Sequence, residues 1–408
     1  MWSDVSAKPK ILFVHDRFGA FAGAESNILC TAVELKARGF ATAILHGPAT
    51  GRGEEAWREA FENLFPLPSV ESAGATTKAI EQFQPDAVYV HNIADLDVIE
   101  ALLESDVPLV RMVHDHGLYC MRSYKYNFIT RQTCKRALSP FCIFPCGAFV
   151  VRDHSRQPPI KWVSYTAKRR ELDLNRQFDR MLVATEFMKN ELLRNGFADN
   201  KIEIHAPVPP SAGAVEQSSF SERNLIVYAG QITRGKGVDV LLESLARVRA
   251  PFECVICGNG QHRAHCEKLS RELGLGNRVQ FQGYLPPDQI NGFHREASVV
   301  VMSSVWPEPF GAAGLEGMRF GVPVVAFDAG GIREWLADGQ NGFLVPWMDR
   351  AEFAARIEQL LRDKALARRM GDAGRRLIAT EFQFSKYVDR LEEMFARVTR
   401  SKEQPAFA

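Results

Sequence analysis

The sequence lacks any apolar run that approaches the roughly 18 residues of a membrane-spanning helix. Residues 1–10 are mostly polar and lead straight into an apolar segment, so we expect no secretory signal peptide. The formal net charge of +1 excludes a strongly basic or acidic chain. With 408 residues, of which 46% are hydrophobic and 24% charged, the composition predicts a globular cytoplasmic protein large enough for two domains.

Common phosphate-binding motifs are also missing. No Gly-x-Gly-x-x-Gly follows the first predicted strand, no Walker lysine loop is present, and no Asp-x-Asp lies in a loop suited to metal-dependent phosphate binding. Gly258-Asn259-Gly260 follows a predicted strand without a third glycine, as in a close turn beside a ligand or in a turn alone. These absences disfavour NAD-dependent dehydrogenases and P-loop nucleotidases.

Short apolar runs alternate with amphipathic segments along most of the chain. Runs such as residues 11–14 and 299–302 are continuously apolar, which is typical of strands buried on both faces of a parallel sheet. The stretches between the runs have apolar residues at helical spacing, and no tight hairpin signals join the runs. We therefore predict an α/β protein with two Rossmann-like, doubly wound parallel-sheet domains that face each other across a cleft.

The alternation breaks at two places, and these breaks predict the domain organisation. Residues 1–206 should form an N-terminal domain, interrupted at about 119–160 by an irregular insertion rich in cysteine, aromatic residues and arginine. Residues 207–222 are rich in proline and small polar residues and predict a linker. Residues 223–380 should form a C-terminal domain, and 381–408 should form a helix that packs back on the N-terminal domain.

The insertion lies in a basic part of the chain. Between Arg111 and Arg180 there are 14 Lys and Arg residues against 5 Asp and Glu, a local balance of +9. This region is either a solvated basic face or a surface for an anionic partner. Its apolar residues are either the core of a packed insertion or a surface that contacts a membrane or a lipid-linked acceptor. Four of them are Phe141, Ile143, Phe144 and Phe149.

Four of the eight cysteines fall in the insertion: Cys120, Cys134, Cys142 and Cys146. They are either free thiols or the ligands of a structural zinc ion, although their spacing contains no Cys-x-x-Cys pair. The other four cysteines lie in apolar strand or helix contexts and should be buried thiols. Disulfides are not expected in a cytoplasmic protein.

The segment from Trp306 to Ala326 has the strongest signal for a ligand site. It predicts a loop, a helix over residues 311–320 and a strand, and it follows another predicted strand. A helix N-terminus at the carboxyl end of a parallel strand binds anions. Glu308 precedes this helix and Glu316 lies within it. Carboxylates beside an anion site indicate a ligand that has hydroxyl groups as well as phosphate.

Five motifs occur in order along the chain: Ala22-Gly23-Ala24-Glu25, His114-Asp115, Gly230 to Gly237, Glu308-Pro309-Phe310-Gly311 with Glu316, and Gly330-Gly331-Ile332-Arg333-Glu334. Together they resemble the retaining glycosyltransferases of family 4, which have the two-Rossmann GT-B fold, and the insertion resembles that of the members with a cysteine-containing N-terminal domain. The resemblance covers residues 10 to 400 and implies transfer of a hexose from a nucleoside diphosphate sugar to a glycan or lipid-linked acceptor, in the synthesis of cell-surface polysaccharide or glycoconjugate.

The resemblance implies a role for each matched residue in binding the nucleotide. Lys236 and a nearby arginine would hold the diphosphate, and Glu316 would accept both ribose hydroxyls. The loop at residues 282–285, which contains Tyr284, would contact the nucleobase. The diphosphate would also receive hydrogen bonds from the backbone N–H groups of Phe310, Gly311 and Ala312. No metal cofactor is expected for catalysis.

The resemblance also implies which residues act on the sugar. Glu308 would contact sugar hydroxyls, His114 would lie near the reacting face, and Gly23 would let the backbone approach phosphate. Judged without these motifs, Glu316 would be a solvated helix residue, Lys236 a surface lysine and His114 a hydrogen-bonded core histidine.

Two positions depart from the family pattern. The family usually has Gly-Arg where this chain has Gly230-Gln231, and Arg234 is the substitute that we expect to contact the diphosphate. The N-terminal glycine pair is reduced to Ala22-Gly23. The donor sugar, the choice among UDP, GDP and ADP, and the acceptor stay open.

Two alternative functions stay open as well. One is a nucleotide-sugar epimerase or hydrolase of the same fold, and the other is a non-catalytic adaptor for a membrane or a nucleic acid. The matched site residues argue against the adaptor, and we expect no nucleic-acid partner. The predicted location is the cytoplasm, and the basic insertion also allows a peripheral location at the inner face of a membrane.

Overall fold

The computed structural model describes residues 9–20, 23–127, 129–152, 160–208, 218–221 and 223–403. Ala22 and most of the predicted linker, residues 209–217 and 222, lie outside these ranges. The elements up to the linker are β1 (Lys10–His15), α1 (Gly23–Ala37), β2 (Ala41–His46), α2 (Glu54–Ala60), β3 (Asn63–Pro66), α3 (Ser72–Phe83), β4 (Ala87–Val90), α4 (Leu96–Glu104), β5 (Leu109–Val113), β6 (Val150–Arg152), β7 (Ile160–Trp162), α5 (Tyr165–Asn175), β8 (Arg180–Val183), α6 (Glu186–Arg194) and β9 (Ile202–Ile204).

The elements after the linker follow the same alternation. They are β10 (Leu225–Ala229), α7 (Val238–Leu245), β11 (Glu253–Cys257), α8 (Arg263–Glu272), β12 (Val279–Gly283), α9 (Pro287–Glu296), β13 (Val299–Met302), α10 (Ala312–Arg319), β14 (Val324–Phe327), β15 (Gly342–Val345), α11 (Arg350–Arg362), α12 (Lys364–Glu381) and α13 (Phe384–Glu403).

β6 and β7 pair antiparallel in a separate two-stranded sheet, and the other thirteen described strands form two parallel sheets. The first has seven strands in the order β3-β2-β1-β4-β5-β8-β9, and the second has six in the order β12-β11-β10-β13-β14-β15. All pairings within both sheets are parallel, and an α-helix joins most successive strands, whereas only the 3₁₀ turn Gly331–Glu334 lies between β14 and β15. Strands β4, β13 and β14 are buried throughout because helices cover both faces. The predicted pair of parallel-sheet α/β domains is confirmed.

The chain divides into two compact units. Unit 1 comprises Met1–Ser123, Lys135–Pro210 and Phe384–Ala408, and unit 2 comprises Tyr124–Cys134 and Ser211–Gln383. Unit 2 therefore includes a short part of the insertion that the sequence assigned to the N-terminal domain.

Helix α13 belongs to unit 1, where it packs through one apolar face. Val388, Leu391 and Phe395 on this face are completely buried. The ring of Phe395 meets that of Tyr89 on β4 at a centroid distance of 5.4 Å. Arg38 at the end of α1 pairs with Asp389 at 2.5 Å.

Two local expectations differ from the structure. The sequence over residues 54–64 predicts a helix, but α2 ends at Ala60, and residues 63–66 form the edge strand β3, paired with β2. The fifth motif, Gly330 to Glu334, predicts the start of another helix, but the structure has only a 3₁₀ turn there, Gly331–Glu334, because the backbone at Gly330 pairs with Glu308.

Candidate functional site

Three glycines lie where neighbouring strands of unit 2 end. Gly230 follows β10, Gly258 follows β11, and Gly283 ends β12. A Cβ atom on Gly258 would lie 1.8 Å from the carbonyl oxygen of Gly230, and the Gly258 N–H donates to the Gly283 carbonyl at 2.7 Å. Backbone therefore lines this end of the sheet, and a ligand can approach it closely.

The Gly235-Lys236-Gly237 turn leads into helix α7. Gly237 caps the helix with a φ of +65°, and a Cβ atom there would lie 2.0 Å from the Ser303 carbonyl oxygen. The Val305 N–H donates to the Gly235 carbonyl at 2.8 Å, which attaches the turn to the loop after β13. These contacts hold the backbone that positions Lys236.

Lys236 and Glu308 form a largely buried ion pair in unit 2. Lys236 Nζ donates to Glu308 Oε1 at 2.7 Å, and Ser304 Oγ donates to the same oxygen. Burial raises the pKa of Glu308, but the charge of Lys236 and hydrogen bonds from Lys236, Ser304 and Trp306 outweigh it, so the pKa is lowered and the carboxyl group is ionised. The fold thus brings together two predicted site residues that are 72 positions apart.

The N-terminus of α10 has backbone donors without partners. Gly311 caps it with a φ of +84° and provides no side-chain cap. Within the described ranges, the N–H groups of Phe310, Gly311 and Ala312 make no hydrogen bond. The indole N–H of Trp335 donates to the Phe310 carbonyl at 2.7 Å and fixes this loop. The arrangement suits an anion, as predicted for a helix at this position.

Glu316 is a half-buried carboxyl group in the second turn of α10. No side chain or backbone group of the described residues donates a hydrogen bond to it. Burial raises its pKa, and Arg319 opposes that shift only in part. Its oxygens are therefore available to a ligand that has hydroxyl groups.

Gln231 and the remaining residues predicted to bind the nucleotide sugar lie at the surface of unit 2. Gln231 is exposed, and its carbonyl accepts a hydrogen bond from the Tyr228 hydroxyl at 2.9 Å. Arg234 is half-buried in the 3₁₀ turn Arg234–Lys236. Tyr284 is 77% exposed. Contact of Arg234 with a diphosphate, and of Tyr284 with a base, stay predictions.

The loop Tyr124–Cys134 is a part of unit 2 that the sequence did not place there. Arg131 Nη2 lies 2.5 Å from Asp239 Oδ2 on α7, and both side chains are 11% exposed. The ring of Tyr126 packs against the turn before Lys236, because a Cβ atom on Gly235 would lie 3.4 Å from it. The loop therefore supports the segment that contains Lys236.

Gly23 is the first residue of α1 and is exposed. A Cβ atom on it would meet nothing within 4 Å, so packing in unit 1 does not require glycine there. Because packing does not explain the glycine at this position, the space that an approaching ligand needs is one reason for it. Its contact with phosphate stays a prediction.

His114 follows β5 and is paired with a second histidine that the sequence did not single out. Its Nε2 lies 2.8 Å from Nδ1 of His91, which follows β4. Burial, with smaller contributions from His15 and Arg111, lowers the pKa of His114 to about 3. His114 is therefore neutral at pH 7. In the sequence, the apolar run at residues 87–90 predicted a strand before His91 but gave no sign of a role for His91 itself.

Glu25 of the first motif is a buried partner of His15. It is 2% exposed, its Oε1 lies 3.2 Å from His15 Nε2, and Arg17 Nη1 lies 3.6 Å from the same oxygen. Glu25 thus fixes the side chain of His15 at the end of β1, a role that the sequence did not suggest.

The four insertion cysteines do not form a metal cluster in the described part of the chain. Cys120, Cys142 and Cys146 belong to unit 1, whereas Cys134 belongs to unit 2. Cys120, Cys142 and Cys146 do not bring three sulfur atoms within 4.8 Å of one another. All four are free thiols here, and structural zinc stays a prediction without geometric support.

The described residues gather one other set of metal-ligand types, in unit 2. Ligand atoms of Asp239, His262 and His265 lie within 4.8 Å of one another. However, Arg131 contacts both Asp239 oxygens, at 3.3 and 2.5 Å, so a guanidinium group already neutralises the carboxylate. A divalent cation would have to displace it, and we infer no metal site there.

Among the residues that the structure describes, no helix is both long and apolar enough to cross a bilayer.

Two family models match successive parts of the chain. Residues 21–207 match the model described as "Glycosyltransferase Family 4", and residues 214–377 match "Glycosyl transferases group 1". The first match covers most of unit 1, and the second covers most of unit 2.

Several curated relatives are about a third identical to this chain over the part of their length that aligns with it. Alpha-D-kanosaminyltransferase of Streptomyces kanamyceticus is 31% identical over 186 residues, which are 45% of this chain and 48% of that protein. The lipopolysaccharide core biosynthesis glycosyltransferase LpsE of Rhizobium meliloti is 31% identical over 172 residues, 42% of this chain and 49% of LpsE. The chain thus spans about half the length of these relatives.

Solved structures share the fold over nearly the whole chain. HepE of Anabaena, in complex with UDP and glucose, has a TM-score of 0.72 at 20% identity and covers 95% of this chain and 100% of its own. Sucrose-phosphate synthase of Thermosynechococcus elongatus has a TM-score of 0.71 at 16% identity, with coverage of 97% and 100%. Glycosyltransferase family models thus match successive parts of the chain, and its two parallel-sheet domains have the GT-B fold of these solved structures.

Proposed function

We propose that the protein transfers a sugar from a nucleoside diphosphate sugar to a glycan or lipid-linked acceptor with retention of configuration. The observation that supports this most directly is the site at the N-terminus of α10. There the buried Lys236–Glu308 pair lies next to backbone donors without partners, and Glu316 follows one helical turn later. One end of such a site suits a diphosphate, and its carboxylates suit hydroxyl groups.

The chemistry requires charge stabilisation as the anomeric C–O bond breaks. Negative charge then grows on the nucleoside diphosphate, and Lys236, Arg234 and the N-terminus of α10 would stabilise it. These groups supply positive charge without a metal ion. For retention, the acceptor hydroxyl would attack on the face from which the diphosphate departs, and a phosphate oxygen would take its proton. His114 would contact an oxygen of the reacting sugar.

The test is a panel of UDP-, GDP- and ADP-sugars, scored first by thermal unfolding. A donor at 100 times its Kd stabilises the folded state by about 2.7 kcal/mol. Any stabilising donor is then incubated with candidate acceptors, and the anomeric configuration of the product is read by NMR. Free sugar or an epimer formed without acceptor would favour the hydrolase or epimerase, and no response to any nucleotide sugar would contradict the proposal.

Glu308→Gln should lower kcat more than it raises the donor KM. The substitution keeps the shape and one acceptor oxygen, but it removes the charge that pairs with Lys236 and replaces the other carboxylate oxygen with an amide donor. We expect a fall in kcat of about 10²-fold with a change in KM of about threefold or less. Steady-state kinetics with the identified donor measure both, and Glu267→Gln, on the partly exposed face of α8, is the control. An equal kcat in Glu308→Gln and wild type would contradict this role.

We also propose that an apolar surface of unit 1 contacts the membrane that holds a lipid-linked acceptor. Phe144 is 83% exposed, Trp162 69% and Phe141 56%, so these residues are not the core of a packed insertion. Basic side chains accompany them: Arg136 lies over the Phe141 ring at 4.3 Å, and Lys135 and Lys161 are exposed. Aromatic rings beside basic groups suit the interface of an anionic bilayer.

Vesicle flotation tests this contact. Wild-type protein should float with phosphatidylglycerol–phosphatidylcholine vesicles and much less with phosphatidylcholine alone, because both apolar burial and charge are needed. The double variant Phe144→Ser/Trp162→Ser should bind at least about tenfold more weakly, since each ring contributes more than about 1.4 kcal/mol when buried. Val70→Ser, at another exposed apolar residue of unit 1, should bind normally. Equal flotation of the double variant and wild type would contradict the proposal.

A further inference from the structure

Three histidines follow, or end, adjacent strands of the unit 1 sheet. His15 ends β1, His91 follows β4 and His114 follows β5, and these strands are neighbours in the order β1-β4-β5. The His91 N–H donates to the Val14 carbonyl at 2.9 Å, so the backbone at His91 continues the strand pairing. The parallel sheet therefore places these imidazoles side by side at its carboxyl edge.

The contact between His91 and His114 has the geometry of a hydrogen bond between two rings. Nδ1 of His91 lies 2.8 Å from Nε2 of His114, and the ring planes differ by only 18°. One nitrogen must donate and the other must accept, because two bare lone pairs or two N–H groups would repel. The pair therefore has two possible proton arrangements when both rings are neutral.

The surroundings of His91 distinguish these arrangements. Its ring is fully buried, stacks on Phe13 at 5.8 Å and meets Tyr89 at 4.3 Å. Its Nε2 is buried and has no hydrogen-bond partner among the described residues. Buried N–H groups without an acceptor are rarer in folded proteins than buried acceptors without a donor, so a bare nitrogen is the expected state of Nε2 in this pocket. The proton of His91 thus belongs on Nδ1.

The charge state of both rings is consistent with this. Burial, and then the neighbouring His114, His15 and Arg111, lower the pKa of His91 well below its usual value. A charged His91 would place a second N–H in the apolar pocket. Burial lowers the pKa of His114 to about 3, so both imidazoles are neutral near pH 7.

We propose that His91 is a positioning residue that donates from Nδ1 to Nε2 of His114 and so keeps the proton of His114 on its Nδ1. Nδ1 of His114 has no hydrogen-bond partner among the described residues. His114 is half-buried, and its Nδ1 is not among the completely buried polar atoms that lack a partner. His114 therefore presents an N–H donor and not a lone pair. It recognises an oxygen that accepts a hydrogen bond, and it cannot remove a proton from a hydroxyl group through Nδ1.

The consequence for transfer rests on the proposed function. An N–H donor at His114 can hold a ring or hydroxyl oxygen of the sugar, or a phosphate oxygen, as the anomeric bond breaks. A proton on Nδ1 excludes His114 as the general base for the acceptor hydroxyl. This agrees with the proposed transfer of that proton to the departing phosphate. The same site with the opposite tautomer would attract a hydroxyl hydrogen instead.

The first measurement reads the tautomer without any substrate. In protein labelled with ¹⁵N-histidine, long-range ¹H–¹⁵N spectra separate protonated from bare ring nitrogens, and His114→Gln identifies the His114 signals. In wild type we expect the proton of His114 on Nδ1. In His91→Leu, which removes the donor at similar volume, we expect a shift toward the Nε2 form. A wild-type proton on Nε2 would overturn the proposal.

The second measurement compares two variants of matched size. Asparagine retains an amide donor close to the position of Nδ1, whereas leucine does not. His91→Leu should lower kcat by about 10²-fold with a small change in donor KM, and His91→Asn should stay within about fivefold of wild type. Equal losses in the two variants would overturn the positioning role, because a packing defect affects both. If no nucleotide sugar is turned over at all, the proposed function fails, whereas the NMR result still decides the tautomer.

Discussion

Replacing Lys236 with methionine should lower kcat/KM for the nucleotide-sugar donor by about 10³-fold, as expected for a group that stabilises a developing anion in a water-poor site. Methionine retains the apolar stem beside Trp306, whose ring centroid lies 5.1 Å from the lysine nitrogen, but it removes the charge. It also leaves the buried carboxylate of Glu308 without its cation. The loss should appear in both donor affinity and kcat.

Titration calorimetry with the nucleoside diphosphate and steady-state kinetics with the sugar donor measure the two losses separately. Arg234→Ala tests whether the second cation of the turn replaces the arginine that is absent at Gln231. We expect it to weaken donor binding by about tenfold. Unchanged affinity in Arg234→Ala, alongside lost affinity in the Lys236 variant, would show that Arg234 has no such role. Normal turnover by Lys236→Met would contradict the assignment of the diphosphate to this turn.

Replacing Glu316 with glutamine should raise the donor Kd by about 10- to 10²-fold, which corresponds to the roughly 1.5–3 kcal/mol of a hydrogen bond to a charged group. The carboxylate is half-buried on α10 and has no donor among the described residues, so ribose hydroxyls would be its first partners. Glutamine keeps the shape and one acceptor oxygen but loses the charge. Its effect should fall on binding more than on kcat.

A nucleotide without ribose hydroxyls makes the Glu316 test specific. The affinity for the 2′,3′-dideoxy nucleoside diphosphate should be low and nearly equal in wild type and Glu316→Gln, because the interaction is already absent. Glu272→Gln, at an exposed ion pair on α8, should bind the ordinary nucleotide like wild type. An equal loss of affinity for both nucleotides in Glu316→Gln would place the effect elsewhere than at the ribose.

The local sequence was sufficient to predict the two parallel sheets and the helix at the site in unit 2. Continuous apolar runs predicted buried parallel strands because such residues need cover on both faces. Gly237 and Gly311 belong to two of the five motifs, and both have positive φ in the structure. The helix expected over 311–320 is α10.

Local sequence failed where a segment depends on distant partners. Residues 63–66 follow a helical segment, yet pairing with β2 makes them the edge strand β3. In the loop Tyr124–Cys134, Asn127 Oδ1 accepts hydrogen bonds from the backbone N–H groups of Ile129 and Thr130, both at 2.9 Å. The irregular sequence of this loop did not predict that Arg131 pairs with Asp239, 108 residues later.

The sequence by itself determined the fold class, the order of the motifs and the kinds of side chain at the candidate site, because apolar periodicity and glycine positions are local properties. Only the tertiary structure decided the charge and proton state of those side chains. Glu308 is ionised because Lys236 approaches it from another loop, and Glu316 has no such partner. His114 owes its proposed proton position to His91 on the adjacent strand and to the apolar pocket around that ring. Burial and hydrogen bonding by distant residues set these states, and neither can be read from neighbours in the sequence.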